Sequence, residues 1–139
     1  MAAKADLHIH TTYSDGKKSP FEVLNLAVSK GLKAISITDH DTVKGYLNGV
    51  EILKSEQLPI ELITGAEFTA SFKGKDIHLL GYYFDPYHKE LSEYLTTCSV
   101  QRRRRMKSMI EWLNKKNIDV FFQEVLAISK QATLTRPHL

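Results

Sequence analysis

The sequence ADLHIH, at residues 5–10, alternates apolar and polar side chains. This period of two predicts a short strand with Leu7 and Ile9 on one face. His8 and His10 share the other face, about 7 Å apart by the rise of a strand, which is a practical spacing for ligands of one metal cluster. Taken alone, the His-x-His motif could equally be a pair of surface or hydrogen-bonded histidines. The interpretation of the motif therefore depends on the residues that accompany it.

A second unit of the same kind follows along the chain. The sequence SPFE at residues 19–22 supplies an N-cap, a proline at the first helical position and a capping-box Glu, which predicts a helix over residues 20–30. Residues 33–38 alternate again and predict a strand, which leads directly into Asp39-His40-Asp41. Because barrel folds assemble their sites where parallel strands end, these polar side chains are expected to lie near the two histidines.

The remaining patterns predict an α/β fold with a mostly parallel strand arrangement. Gly65 and Gly81 indicate close approaches of the backbone. The predicted elements are a helix after Thr42, strands at residues 60–68 and 76–84 joined by a turn at residues 73–75, a helical region over residues 89–116 with a break near Ser99, a helix over residues 120–130 capped by Asp119, and a loop over residues 132–138.

The composition is typical of a soluble globular protein, with 42% apolar and 25% charged residues among 139. The net charge of +3 is too small to imply a nucleic-acid partner. Cys98 is the only cysteine, which excludes an intrachain disulfide and a cysteine-based metal site and favours a reducing cytoplasm. No stretch approaches the roughly 20 apolar residues that span a bilayer, so no membrane partner is expected.

Imidazoles and carboxylates recur once in each predicted unit, and this recurrence favours a metal site. Beyond the first two histidines, the candidates are Asp15, His40, Glu67 and His78. Such ligands select Zn²⁺, Mn²⁺ or Fe²⁺, and paired ions suit the hydrolysis of phosphate esters. Asp15 is alternatively a turn residue, and Asp41 is alternatively the cap of the following helix.

Residues 102–107 and 115–116 form the one strongly basic segment. It is a candidate track for the phosphates of a nucleic acid, with a solvated helical face as the alternative. Trp112 is expected to pack beside Met109 and Leu113 rather than to stack on bases.

The motifs DLHIHT (6–11), YSDG (13–16), TDHD (38–41) and RPH (136–138) together resemble the PHP (polymerase and histidinol phosphatase) family. The resemblance spans nearly the whole chain. Within the family, the chain is most similar to the nucleoside 3′,5′-bisphosphate phosphatases and the 5′-to-3′ exoribonucleases that act on short RNA. It implies a distorted (β/α)₇ TIM-like barrel of which this chain is the N-terminal part, with residues 89–130 a helical segment that begins an insertion.

The resemblance also implies two or three divalent metal ions. It places His8, His10 and Glu67 on one ion and Asp15 and His40 on a second, with Glu67 bridging to a third held by His78 and His138. Arg136 would clamp a substrate phosphate, and Asp6 and Asp39 would orient imidazoles, so Arg136 and Asp39 are the catalytic candidates. The family closes its site with a late Asp-x-His motif, which these residues lack.

Our leading hypothesis is a phosphoesterase that acts on nucleotides or short RNA through a metal-activated hydroxide. A metal-binding or RNA- or partner-binding module without hydrolysis and a histidinol-phosphate-type phosphatase are the alternatives. Only about four strands are predicted, half of what a closed barrel requires. We therefore expect a fragment with an open sheet, whose missing partner is the C-terminal half of the same domain.

Overall fold

The computed structural model describes residues 4–130 and 132–139. Helices and strands alternate in its first half, and helices dominate the second. In chain order the elements are β1 (Ala5–Ile9), α1 (Pro20–Ser29), β2 (Ala34–Ile37), α2 (Lys44–Glu56), β3 (Glu61–Ile63), β4 (Gly65–Phe72), β5 (Lys75–Tyr82), α3 (Lys89–Asn114), α4 (Phe122–Ser129) and a final 3-10 helix (Arg136–His138).

The strands form two sheets that meet at one point. Strands β1, β2 and β3 are parallel and lie in chain order, with α1 and α2 as the crossovers. Strands β4 and β5 form an antiparallel hairpin. An isolated parallel pairing of His40 with Glu67 links the two sheets, and the backbone N–H of Asp41 donates to the carbonyl of Glu67 at 2.9 Å. The end of β2 is thereby held beside the start of β4.

Helix α1 begins as the sequence predicts. Ser19 and Glu22 form the capping box, in which the Ser19 side chain accepts from the Glu22 backbone N–H. The helix buries Leu24 completely, in a core that includes Ile35 of β2 and Ile60 before β3. This core fixes the parallel strands and therefore the loops at their carboxyl ends.

Two predictions about the later helices are wrong. Helix α3 is continuous through Ser99, where we expect a break, because its buried residues Cys98, Met106 and Ile110 recur at multiples of four and share one helical face. The N-cap of helix α4 is Phe121 rather than the predicted Asp119. The indole of Trp112, expected to pack against α3 neighbours, is 61% exposed.

The described residues 4–130 and 132–139 contain five strands and no closed barrel. The predicted strand over residues 60–68 is two strands, because β3 pairs with β2 whereas β4 pairs with β5. The α/β class and the open sheet are as predicted, and the barrel-like part corresponds to β1 through β3 with their helices. Within these ranges no helix has both the length and the apolarity needed to cross a membrane.

The expected close approaches at two glycines are confirmed. A Cβ on Gly65 would collide with the Ser36 hydroxyl, and a Cβ on Gly81 would lie 2.6 Å from the Phe68 ring. The Ser36 hydroxyl is held in place because it donates to the Ile63 carbonyl at 3.0 Å. Only glycine at position 65 therefore allows the start of β4 to lie this close to β2.

Candidate metal centre

Five of the predicted ligands lie in or shortly after four different strands. His8 and His10 lie at the end of β1, His40 follows β2, Glu67 is near the start of β4, and His78 is in β5. The parallel pairing of residues 40 and 67 brings the last three of these toward the first two. The structure therefore gathers residues separated by up to 70 positions into one cluster.

Glu67 lies at the centre of the cluster. Its Oε2 is 2.9 Å from Nε2 of His8 and 3.0 Å from Nε2 of His10, and its Oε1 is 2.7 Å from Nδ1 of His78. Burial by itself raises the pKa of this carboxyl, but hydrogen bonds from His8 and His78 and the nearby charges of His40 and His10 outweigh it and leave the pKa below its ordinary value. The carboxylate is thus held ionised among imidazoles.

Asp15 lies on the other side of His40. Its carboxylate oxygens are 3.4 Å from Nδ1 of His10 and 3.5 Å from Nε2 of His40. The hydrogen bond from His40 is the main reason that the pKa of Asp15 falls to about 2. Burial, followed by the charge of His40, lowers the pKa of His10. A neutral imidazole and an ionised carboxylate are the forms that bind metal ions.

Three groups of side chains have ligand atoms within 4.8 Å of one another, close enough to hold an ion. Each group shares a member with the others, so the groups are continuous. They are His8, His10 and Glu67; His10, Asp15 and His40; and His40, Glu67 and His78.

A buried nitrogen supports this interpretation. Among the residues that the structure describes, Nδ1 of His40 is the one buried side-chain polar atom without a hydrogen-bond partner. A buried polar atom without a partner costs free energy, and a bound cation would satisfy it. Nitrogen and carboxylate donors without thiolates suit Mn²⁺, Fe²⁺ or Zn²⁺, so the residues present fit the implied ions.

Asp39 anchors the loop that carries Asp15. Its carboxylate is 1% exposed and accepts the Thr11 backbone N–H at 2.7 Å, the Thr11 hydroxyl at 2.6 Å and the Ser14 hydroxyl at 2.6 Å. The Ser14 oxygen is in turn 3.4 Å from Nδ1 of His10. Asp39 thus reaches an imidazole through Ser14.

Replacing Gly45 with Ala is expected to disturb this anchor. A Cβ there would collide with Oδ2 of Asp39 and lie 2.9 Å from the Thr11 hydroxyl. Overpacking costs about 1–3 kcal/mol, which exceeds the roughly 1 kcal/mol that Ala gains over Gly in a helix. Urea unfolding should therefore give a lower free energy of unfolding. Gly49→Ala is the matched control, because the nearest atom to its Cβ would be a movable Leu62 methyl group at 2.8 Å and the next, on Ile37, is at an ordinary contact distance of 3.4 Å. Equal effects of the two changes would contradict the prediction.

Arg136 borders a cavity beside the cluster. The cavity has a volume of about 200 Å³, and its lining includes Asp15, His40 and His78 of the cluster together with Arg102, Arg105 and Arg136. His138 is outside the three ligand groups: it is buried, and its Nδ1 accepts the Thr135 backbone N–H at 3.1 Å. Asp6 accepts the backbone N–H of His8 at 3.2 Å.

The sequence patterns missed the pairing of Asp41 with Arg102. Asp41 was an alternative cap for the following helix, but α2 has Val43 at its N-cap and no side-chain cap bond there. Oδ2 of Asp41 instead accepts from Nε of Arg102 at 2.7 Å. The two residues are 61 positions apart, so no local spacing could have joined them.

Comparison with known proteins supports the family resemblance that the motifs carry. A family model described as the PHP domain matches residues 6–135. Over 138 residues the chain is 34% identical to a 5′-3′ exoribonuclease of Haemophilus influenzae, covering 99% of this chain and 49% of that protein. Over 107 residues it is 28% identical to a 3′,5′-nucleoside bisphosphate phosphatase of Chromobacterium violaceum, covering 77% of this chain and 37% of that protein.

A solved structure is similar over the same extent. It is the crystal structure of a Bifidobacterium adolescentis protein assigned to the metal-dependent phosphoesterases, with a TM-score of 0.87 and 31% identity. The similarity covers 99% of this chain and 48% of that one. The chain spans about half the length of the curated relatives it matches. The resemblance noted from the motifs, including its branch, is thereby confirmed.

Proposed function

The chain belongs to the PHP domain family, and from this membership we propose that the protein hydrolyses phosphate esters of nucleotides or short RNA with divalent metal ions. The observation that carries the proposal is the continuous ligand cluster around Glu67, with the unpartnered Nδ1 of His40 inside it. Because the chain spans about half of its relatives, hydrolysis is proposed for the full protein, and metal binding for the residues described above.

We assign the ligands in three overlapping sets. They are His8, His10 and Glu67; Asp15 and His40; and His78, Glu67 and His138. When bound, the ions supply positive charge beside the phosphate and make a water molecule more acidic. The protein side chains keep the carboxylates ionised, hold the imidazole of His10 through Ser14 and Asp39, and place the guanidinium of Arg136 in the cavity lining. Two or three ions, of Mn, Zn or Fe, fit this donor set.

Arg136 is proposed to hold the substrate phosphate, because its planar fork of donors matches phosphate oxygens. Its place in the lining of the same cavity as Asp15, His40 and His78 supports this role. Asp39, the other catalytic candidate from the sequence, is proposed as a positioning residue that holds the loop of Asp15.

Arg136→Gln is expected to lower kcat/KM for a nucleoside bisphosphate about 10- to 100-fold, because a hydrogen bond to a charged group contributes about 1.5–3 kcal/mol. Metal content should be unchanged. The matched control is Lys54→Gln, which removes a positive charge from an exposed position in α2. An unchanged kcat/KM in Arg136→Gln would remove this residue from the site.

The nucleotide substrate class is supported by the relatives, which include an exoribonuclease and a nucleoside bisphosphate phosphatase. Of the three guanidinium groups that border the cavity of about 200 Å³, those of Arg102 and Arg105 are paired with Asp41 and Asp76, so we assign the phosphate of a small substrate to Arg136. Release of phosphate or nucleotide from nucleoside 3′,5′-bisphosphate, short RNA and histidinol phosphate should be compared at equal concentration. Hydrolysis of histidinol phosphate alone would favour the histidinol-phosphate-type phosphatase.

The decisive experiment combines metal analysis with turnover. The full protein, purified without chelator, should contain transition metal, and chelation followed by Mn²⁺ addition should abolish and then restore hydrolysis. Absence of both metal and hydrolysis, with RNA still bound, would favour the alternative of a binding module.

We also propose a cytoplasmic location and an insertion that begins within residues 89–130.

A further inference from the structure

Arg102 differs from the other residues of the basic segment. Its side chain is only 17% exposed, whereas Arg103 and Lys107 lie over the ring of Phe122 at the surface. Arg105 pairs with the exposed Asp76 at 2.5 Å. The basic segment is therefore neither a uniform phosphate track nor a uniformly solvated face, because its first arginine points into the fold.

The guanidinium of Arg102 joins three separate segments. Its Nε donates to Oδ2 of Asp41 at 2.7 Å, one of its terminal nitrogens donates to the carbonyl of Leu134 at 3.1 Å, and the other donates to the Thr69 hydroxyl at 2.8 Å. A planar group with five N–H donors in fixed directions can make all three contacts at once, which a lysine ammonium cannot reproduce in this geometry.

Each contacted residue lies next to a proposed site residue. Asp41 follows His40, Thr69 is two positions after Glu67, and Leu134 is two positions before Arg136. Asp41 also accepts the backbone N–H of Thr69 through its other oxygen at 2.8 Å.

The loop at Asp41 depends on these contacts for a further reason. The backbone φ of Asp41 is +48°. Residues other than glycine rarely adopt this left-handed conformation unless the surrounding structure holds them in it. The Asp41 carboxylate is 1% exposed and faces the guanidinium. Without Arg102, a buried negative charge would lose its partner, and the loop that carries His40 would be free to move toward water.

We propose that Arg102 is a positioning residue: paired with Asp41, it fixes the segments of His40, Glu67 and Arg136 relative to one another. Helix α3 thus supports the metal centre through Arg102. The metal affinity of the cluster then depends on a residue that is not itself a ligand. The inference rests on the metal binding proposed above, and its effect on turnover rests in addition on the proposed hydrolysis.

The test compares Arg102→Met with Gln101→Met, an exposed neighbour on the same helix. Mn²⁺ affinity is measured by titration of the metal-free full protein, kcat and KM are measured on a nucleoside bisphosphate, and folding is followed by circular dichroism. Arg102→Met should bind Mn²⁺ about 10- to 100-fold more weakly and lose a similar factor in kcat, since partners that orient ligands have effects of this size. Gln101→Met should match the unmodified protein.

Two further variants keep the inference falsifiable if Arg102→Met does not fold. Arg102→Lys keeps the charge but cannot bridge three segments, so it should fold and still lose Mn²⁺ affinity. The double variant Asp41→Asn with Arg102→Gln should lose no more Mn²⁺ affinity than the worse of its two single variants. The reason is that the two side chains act as one unit. A rise in KM alone, with kcat and Mn²⁺ affinity intact, would make Arg102 a substrate contact and overturn the proposal. Inactivity of the unmodified protein with the Mn²⁺ effect intact would instead reject only the proposed hydrolysis.

Discussion

Replacing Glu67 with Gln is expected to lower hydrolysis of a nucleoside bisphosphate by about a thousandfold, the equivalent of about 4 kcal/mol of transition-state stabilisation. Glu67 belongs to two of the three ligand groups and is within 3.0 Å of His8, His10 and His78. Gln has nearly the same shape but carries no charge, so it binds a divalent ion weakly. The change therefore removes ligation with little change in volume.

Metal counting separates this effect from misfolding. Glu67→Gln should contain at least one ion fewer per chain, while its circular dichroism spectrum remains that of the unmodified protein. Glu51→Gln provides the control, since Glu51 is an exposed carboxylate on α2. If Glu67→Gln retained both its metal content and its activity, the cluster would be a hydrogen-bonded polar network rather than a metal centre.

Local patterns were sufficient to predict the residues whose geometry is local. The period of two in residues 5–10 places His8 and His10 on one face of β1, and both reach Oε2 of Glu67. The capping box of Ser19 and Glu22 sets the start of α1. The convergence of strand ends was predictable in outline from the α/β order, because parallel strands bring their carboxyl ends to one edge.

Long-range pairing accounts for what the patterns missed. Asp41 resembles a helix cap in the sequence, but the structure pairs it with an arginine 61 positions away. The shift of the apolar stripe in α3 resembles a break at Ser99, but it reflects a change of neighbours along a continuous helix, whose second half packs through Met106 and Ile110 against Val125 and Leu134. Neither feature has a local signal, since each is determined by the element on the other side of the contact.

Replacing His40 with Ala is expected to lower turnover about a thousandfold, as for Glu67→Gln, with little effect on the stability of the metal-free protein. His40 belongs to two ligand groups, with Asp15 on one side and Glu67 on the other. Its buried Nδ1 has no partner among the described residues, so its removal breaks no hydrogen bond at that atom. The contact of Nε2 with Asp15 is also lost; the two side chains are only 12% and 20% exposed but 3.5 Å apart, so the loss costs about 1 kcal/mol.

Thermal unfolding with and without Mn²⁺ provides the measurement. Stabilisation by Mn²⁺ depends on its affinity for the folded state, so the unmodified protein should gain more in Tm on Mn²⁺ addition than the His40→Ala variant, while their metal-free Tm values should be similar. His88→Ala is the matched control, because His88 is exposed at the N-cap of α3 and makes no side-chain cap bond. A loss of metal-free stability comparable to the loss of activity would assign His40 a structural role, and the unpartnered nitrogen would then need another explanation.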